Sequence, residues 1–237
     1  MEKILVIDFG SQYTQLIARR LRELSVYSEV CPWDEIPDLS AVKGFILSGG
    51  PESSNIEGNP SIHQQIFDSK KPILGICYGM QVLAHQEEGK IINEGKREFG
   101  HAKIDIKQDS VLFKDIDNSS DVWMSHGDKV ESLPDGYNIT AVSNNSPIAA
   151  YENIAKKYFG LQFHPEVTHT ESGITIIKNF LEICGIEQNW SSDDILQQIN
   201  TLVETEVKDG EVLLALSGGV DSTVLAAVLH KTLGNKL

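Results

Sequence analysis

Cysteine is scarce in this chain: Cys31, Cys77 and Cys184 are widely spaced and odd in number. That excludes a disulfide framework, and no Cys-x-x-Cys pair offers a metal site, so a reducing compartment and no metal-ligating residues are expected. Basic residues are also outnumbered, 20 Lys and Arg against 34 Asp and Glu, for a formal charge of −14. No Lys/Arg cluster is long enough to track a phosphate backbone, which excludes a general nucleic-acid partner while leaving a nucleotide open as a small ligand. Long apolar runs are missing too, and the chain enters Lys3-Ile4-Leu5-Val6-Ile7-Asp8 without a charged-then-apolar leader. The expectation is a soluble, cytoplasmic protein with no membrane partner.

What is present is a pattern of short apolar runs alternating with helical spacing. Ile4–Ile7 reads as a strand, and Asp8-Phe9-Gly10-Ser11-Gln12 as a turn into a helix bearing Leu16, Ile17, Leu21 and Leu24. Further strands are expected at Val26–Cys31, Gly44–Ser48 and Ile73–Ile76, the last followed by a helix from Tyr78 to His85. This βα alternation predicts an α/β fold: an open, mostly parallel sheet with helices on both faces and a crevice at the carboxyl ends of its strands. After Glu87 the period changes to two, and Ala102–Ile106, Val122–Met124, Ile139–Ser143 and Ile148–Tyr151 predict a small antiparallel section. Tyr158–Phe163 is a further strand, and Ile174–Ile183 a closing helix ended by Gly185.

A polar stretch from Gly185 to Ser192 reads as a linker, so the domains are expected at 1–185 and 186–237. Ser191 with Asp194 resembles a capping box and opens a helix bearing Ile195, Leu196, Ile199, Leu202 and Val203. Val212–Leu216 is expected to be a buried strand that runs into Ser217-Gly218-Gly219-Val220-Asp221-Ser222 and a helix reaching His230. A single βα unit cannot close its own sheet, so the sequence is expected to be a piece of a longer protein or to need a partner.

The chemistry-bearing stretch is Gly75-Ile76-Cys77-Tyr78-Gly79-Met80-Gln81. Glycines two residues to either side of a cysteine, between a strand and a helix, predict a sharp turn that holds the thiol in strained geometry at a helix N-terminus, whose dipole favours a thiolate. The alternative is an ordinary buried cysteine. A nucleophilic thiol needs a base and a group to orient that base, and His164-Pro165-Glu166 at the end of another strand can supply both. Acyl transfer also needs oxyanion donors. The N–H of Tyr78, directly after the cysteine, is one candidate, and Gly49-Gly50-Pro51 at the end of a neighbouring strand offers Gly50, although a plain turn explains Gly-Gly-Pro equally well.

Taken together, these three motifs resemble the class I (triad) glutamine amidotransferases over about residues 1 to 185. The resemblance implies Cys77 as nucleophile, His164 as general base and acid, Glu166 as orienting carboxylate, and Gly50 and Tyr78 as oxyanion donors. It also implies glutamine as substrate, with Gln81, Ser125, His126 and Asp128 near its pocket, partly through backbone groups; a solvated loop is the alternative for Ser125 to Asp128.

Ser217-Gly218-Gly219-Val220-Asp221-Ser222 is similar to the PP-loop of the N-type ATP pyrophosphatases. Glycines that let backbone N–H groups curl round an anion, two hydroxyls and a helix N-terminus suit a pyrophosphate, and the Gly-Lys-Ser/Thr ending of a Walker A motif is absent. An amidotransferase followed by a PP-loop resembles the layout of ligases that aminate xanthosine monophosphate to GMP, with ammonia from glutamine and ATP with Mg2+ as cofactor, usually as homodimers. Asp8–Arg20 and Trp123–Val130 carry the same likeness. Most of the nucleotide-binding machinery of such ligases has no counterpart here, so this chain alone is expected to hydrolyse glutamine slowly or not at all. Another triad amidotransferase, a cysteine peptidase of similar fold, and a non-catalytic regulatory module stay open as alternatives.

Overall fold

The computed structural model describes residues 1–54, 56, 58–93, 97–107 and 110–237. Packing divides it into two units, Met1–Gln188 and Asn189–Leu237. In the first unit the strands are β1 (Lys3–Asp8), β2 (Ser28–Pro32), β3 (Val42–Leu47), β4 (Ile73–Ile76), β5 (Lys90–Ile92), β6 (Glu98–Ile106), β7 (Ser119–His126), β8 (Lys129–Ser132), β9 (Asn138–Ser143), β10 (Ala150–Asn153) and β11 (Tyr158–Leu161). Its helices are α1 (Thr14–Glu23), α2 (Gln64–Asp68), α3 (Tyr78–Gln86) and α4 (Gly173–Cys184).

Nine of these strands form one sheet in the order β2-β1-β3-β4-β11-β10-β9-β6-β7, and β5 pairs with β8 separately. From β2 to β11 every pairing is parallel, and from β11 to β7 every pairing is antiparallel. The expectation of a mostly parallel sheet is thus corrected: the sheet is mixed in equal parts, and the period-two segments belong to the main sheet. The reason is local. The β10–β11 pair is a hairpin, turned at Lys157 with φ of 59°, and it reverses chain direction beside a strand that pairs parallel to β4 on its other side.

The parallel half is buried on both faces. Ile4 and Val6 of β1 enter one apolar cluster with Ile17 and Leu21 of α1 and Ile176 and Phe180 of α4, while Leu5 and Ile7 enter a second with Ile66 of α2 and Met80 and Leu83 of α3. Strands covered by helices on both sides read as continuous apolar runs, which is why β1, β3 and β4 are plain in the sequence.

The antiparallel half curls back on itself. Its far strand β7 forms a bridge, Met124 to Phe163, with the chain just beyond β11, and the His164 N–H donates to the Trp123 carbonyl at 3.0 Å. The end of β7 is thereby brought over the carboxyl ends of β4 and β11.

The second unit contains helices α5 (Ser192–Val207) and α6 (Val220–Leu233). The capping box at Ser191 and Asp194 is formed, with Asp194 Oδ2 accepting from the Ser191 N–H at 2.7 Å. Val212–Leu216 is not a buried strand: the segment forms no strand pairing, and Leu213 and Leu216 are exposed. A strand needs a neighbour, and the described residues of this unit offer only helices. No described helix is long and apolar enough to cross a membrane.

Candidate active site

The turn between β4 and α3 holds Cys77 at φ 53° and ψ −106°, a conformation that costs a non-glycine residue of order 1–3 kcal/mol. The surroundings impose it. The Cys77 N–H still donates to the Leu161 carbonyl of β11 at 2.7 Å, the Gly79 N–H donates to the Ser48 carbonyl at 3.0 Å, and the strand must become a helix between them. A Cβ on Gly79 would stand 2.4 Å from the Leu47 carbonyl oxygen, and one on Gly75 would stand 2.6 Å from the Gly79 backbone. The two glycines are therefore required for close passage of backbone. Cys77 begins a helix whose first N–H groups, that of Tyr78 included, have no intrahelical acceptor.

His164 lies three residues beyond β11, the strand that pairs with β4 in register Leu161 to Ile76. Its Nδ1 is 2.7 Å from Glu166 Oε1, and both side chains are buried. Burial of the imidazole opposes its protonation, but the Glu166 carboxylate and a hydrogen bond with Cys77 outweigh it and hold His164 well above the usual histidine value. The Glu166 carbonyl accepts from Arg20 Nε at 2.9 Å, and Thr170 ties His164 to β7: its hydroxyl donates to the His164 carbonyl at 2.6 Å and accepts from the Trp123 N–H at 3.1 Å. Tyr13 meets the imidazole edge-on, with ring centroids 5.1 Å apart.

Ser125 and His126 end β7, and the alternative of a solvated loop does not describe His126 and Asp128, which are buried. The Cys77 thiol donates to the Ser125 carbonyl at 3.3 Å. Gln81 Nε2 donates to the Asp128 carbonyl at 2.7 Å and to Gln162 Oε1 at 3.2 Å. His126 is engaged at both nitrogens, Nδ1 on the Asp128 carbonyl at 2.9 Å and Nε2 on Glu98 Oε2 at 3.2 Å; burial outweighs these partners and pushes its pKa down. Asp128 accepts from Ser53 and, at 2.6 Å, from Asn93 Nδ2. Gly50 packs so closely on Phe9 that a Cβ would stand 2.8 Å from the Phe9 carbonyl oxygen, with Tyr78 Cγ at 3.2 Å.

Cys77, Gly50, Tyr78, Gln81, Ser125, His126 and Asp128 thus surround one cavity of about 340 Å³, room for a small metabolite. Glu52 and Arg97, which carry no motif, line it too. Gln162 and Thr170 are also marked by no motif, and Gln162 has one signal, its place at the end of the strand that leads to His164; Arg20 closes the Asp8–Arg20 stretch, which gives it no particular role.

Ser217–Ser222 belongs to the second unit. Gly218 has φ of 81°, Gly219 caps α6, and the Ser217 and Ser222 hydroxyls lie 3.1 Å apart. The donor set suits phosphate oxygens, but the fit is partial: Ser222 Oγ already donates to the Gly219 carbonyl at 3.0 Å, and the loop is exposed. Among the described residues no cluster of His, Cys, Asp and Glu could hold a metal ion.

Comparison with known proteins agrees with this geometry. The family profile "Glutamine amidotransferase class-I" matches residues 5–184. The chain belongs to the class-I glutamine amidotransferases. Within that class it matches the N-terminal amidotransferase domain of GMP synthases. The whole chain is 48% identical over 240 residues to "GMP synthase [glutamine-hydrolyzing]" of Vibrio vulnificus strain CMCP6 and 49% identical over 245 residues to the protein of that name from Xanthomonas axonopodis pv. citri. It spans only 46% and 47% of those relatives, about half their length. Among solved structures, a putative GMP synthase subunit from Thermoplasma acidophilum superposes with a TM-score of 0.69 at 30% identity, covering 84% of this chain and 98% of that one. A glutamine amidotransferase from Thermotoga maritima shares the fold, at TM-score 0.60 and 18% identity over 99% of this chain and 97% of that one.

Proposed function

We propose that this chain hydrolyses glutamine through a Cys77 thioester and that the ammonia serves the ATP-dependent amination of xanthosine monophosphate, the activity of a glutamine-hydrolysing GMP synthetase. The observation that carries the reading is the thiol on a strained strand-to-helix turn, lining one cavity with an imidazole that a buried carboxylate orients. In this reading Cys77 gives its proton to His164 as Sγ bonds to the γ-carbonyl carbon of glutamine and the carbonyl electron pair moves onto oxygen. The N–H groups of Gly50 and Tyr78 receive the developing oxyanion, each worth about 3 kcal/mol. His164 passes a proton to the amide nitrogen, the C–N bond breaks and ammonia leaves. His164 then takes a proton from water as its oxygen attacks the thioester; the C–S bond breaks and His164 returns the proton to Sγ, giving glutamate and the free thiol.

Glu166 keeps the imidazole oriented and favours its protonated form. Glu52 and Arg97, of opposite charge on the same cavity as Cys77, match the α-ammonium and α-carboxylate of a free amino acid and argue against a peptide. Gln81, Ser125, His126 and Asp128 shape the pocket, the Gln81 and His126 side chains both being spent on the Asp128 backbone carbonyl.

The synthetase half of the reading rests on relatives that this chain half covers. There, residues 1–185 form the glutaminase domain and 186–237 the linker and start of an ATP pyrophosphatase domain. Ser217–Ser222 would hold the pyrophosphate of ATP with Mg2+, which when bound supplies the activation of the purine oxygen. Xanthosine monophosphate, the homodimer and a cytoplasmic location belong to the same reading. The deciding experiment is labelling of the chain by 6-diazo-5-oxo-L-norleucine, a glutamine-analogue electrophile, with glutamate release measured in parallel. Modification at Cys77 that glutamine protects against supports the reading. A Cys77→Ala chain that hydrolyses glutamine as well as the parent would refute it.

A further inference from the structure

The geometry points to two mouths that meet at Cys77: glutamine enters by one, and the amine leaves and the attacking water arrives by the other, framed by the β1–α1 turn. This rests on the glutaminase reading above. The 340 Å³ cavity that holds Gln81, Asp128, Glu52 and Arg97 does not include His164. A second cavity, of about 280 Å³, is lined by Ser11, Gln12, Tyr13, Gly49 and His164 and adjoins the first along Gly50, Pro51, Cys77 and Ser125.

The thiol therefore borders both spaces, whereas the imidazole borders only the second. The two proton transfers happen at that imidazole, one to the departing nitrogen and one from the incoming water, so both small molecules must stand on its side of the thioester. A water occupies about 30 Å³ in the liquid, so the second cavity has room for either molecule with a hydration shell.

This opening is built rather than incidental. Asp8 Oδ1 accepts from the Gly10 N–H at 2.9 Å and the Thr14 hydroxyl at 2.7 Å, and Ser11 Oγ accepts from the Tyr13 N–H at 3.1 Å, which fixes the turn. Gly49 keeps the passage open: a Cβ there would stand 3.3 Å from His164 Cε1 and 3.4 Å from Ser11 Oγ, in the gap between base and turn. Tyr13 closes the side of the imidazole.

The test obstructs each opening in turn. Gln12 is exposed, so Gln12→Trp places bulk at the second mouth without touching the core. With this variant, labelling of Cys77 by 6-diazo-5-oxo-L-norleucine should stay within about twofold of the parent. Cleavage of the glutamine-derived thioester by water or hydroxylamine should fall fivefold or more, with acyl-enzyme accumulating in intact-mass spectra. Glu52→Trp at the first mouth should do the reverse, slowing labelling but not hydroxylamine cleavage of thioester already formed. The proposal is overturned if Gln12→Trp leaves thioester cleavage unchanged, if it slows labelling and cleavage together, or if hydroxylamine cannot reach the parent thioester. A parent chain that takes neither the electrophile nor a glutamyl group refutes the underlying glutaminase reading instead.

Discussion

Cys77 Sγ lies 3.3 Å from the backbone carbonyl oxygen of Ser125, to which the thiol donates. The carbonyl belongs to β7, at the end of the sheet order, and reaches the thiol only because the antiparallel half curls back. The resting site is thus closed by backbone from an element far from the nucleophile in the sheet.

Replacing Glu166 by Gln should preserve the fold contact at Oε1 but remove the charge that raises His164. Glutamine hydrolysis should drop about 10²–10⁴-fold. In an NMR titration the His164 imidazole should titrate lower than in the parent. An unchanged titration would show that Glu166 does not set the imidazole's protonation.

The two buried histidines give opposite pH dependences of stability. His164 is raised in the folded chain, so its contribution is complete below the unfolded value of about 6.5 and is lost as pH rises through the folded value. His126 is lowered, so its contribution is present above about 6.5 and is lost as pH falls through its depressed value. Urea midpoints measured across this range should therefore fall on both sides, and the alkaline loss should shrink in Glu166→Gln.

Gly79→Ala should destabilise the fold by about 3 kcal/mol, because its Cβ would meet the Leu47 carbonyl at 2.4 Å in packed backbone. At Gly127 the nearest neighbour of a Cβ is the Arg97 side chain at 3.7 Å, so Gly127→Ala should cost about 0.5 kcal/mol or less. Urea unfolding of the two variants gives the comparison.

Gln81→Ala removes the donor that holds the buried Asp128 carbonyl and should raise KM for glutamine more than it lowers kcat, with a stability loss of about 1–3 kcal/mol. Steady-state kinetics beside thermal melting separates the two effects.

Much of this was legible because the signals are local. The apolar runs of β1, β3 and β4 announce strands buried on both faces, and two glycines around Cys77 announce a turn whose backbone strain is observed. What stayed hidden depends on distant partners. The bridge from Met124 to Phe163 joins segments with no shared period, and Thr170, which no motif marks, holds backbone groups of two separate segments. Lys90–Ile92 and Gln64–Asp68 are too short for a period to show. Val212–Leu216 misled in the other direction, since an apolar run signals a strand only where another strand can pair with it.

The pairing of β4 with β11 has a further consequence. Cys77 and the chain leading to His164 continue two neighbouring parallel strands, and the ladder runs on through the Cys77 N–H to the Leu161 carbonyl. Adjacent strands stand about 4.8 Å apart, a spacing set by hydrogen bonds rather than by side chains. The points from which the chain sets out toward nucleophile and base are therefore spaced by the sheet. Insertions in the loops that rim the pocket can retune what binds there while leaving the reacting pair in step, whereas a slip of one residue between these two strands would turn every side chain beyond it to the opposite face and separate the pair.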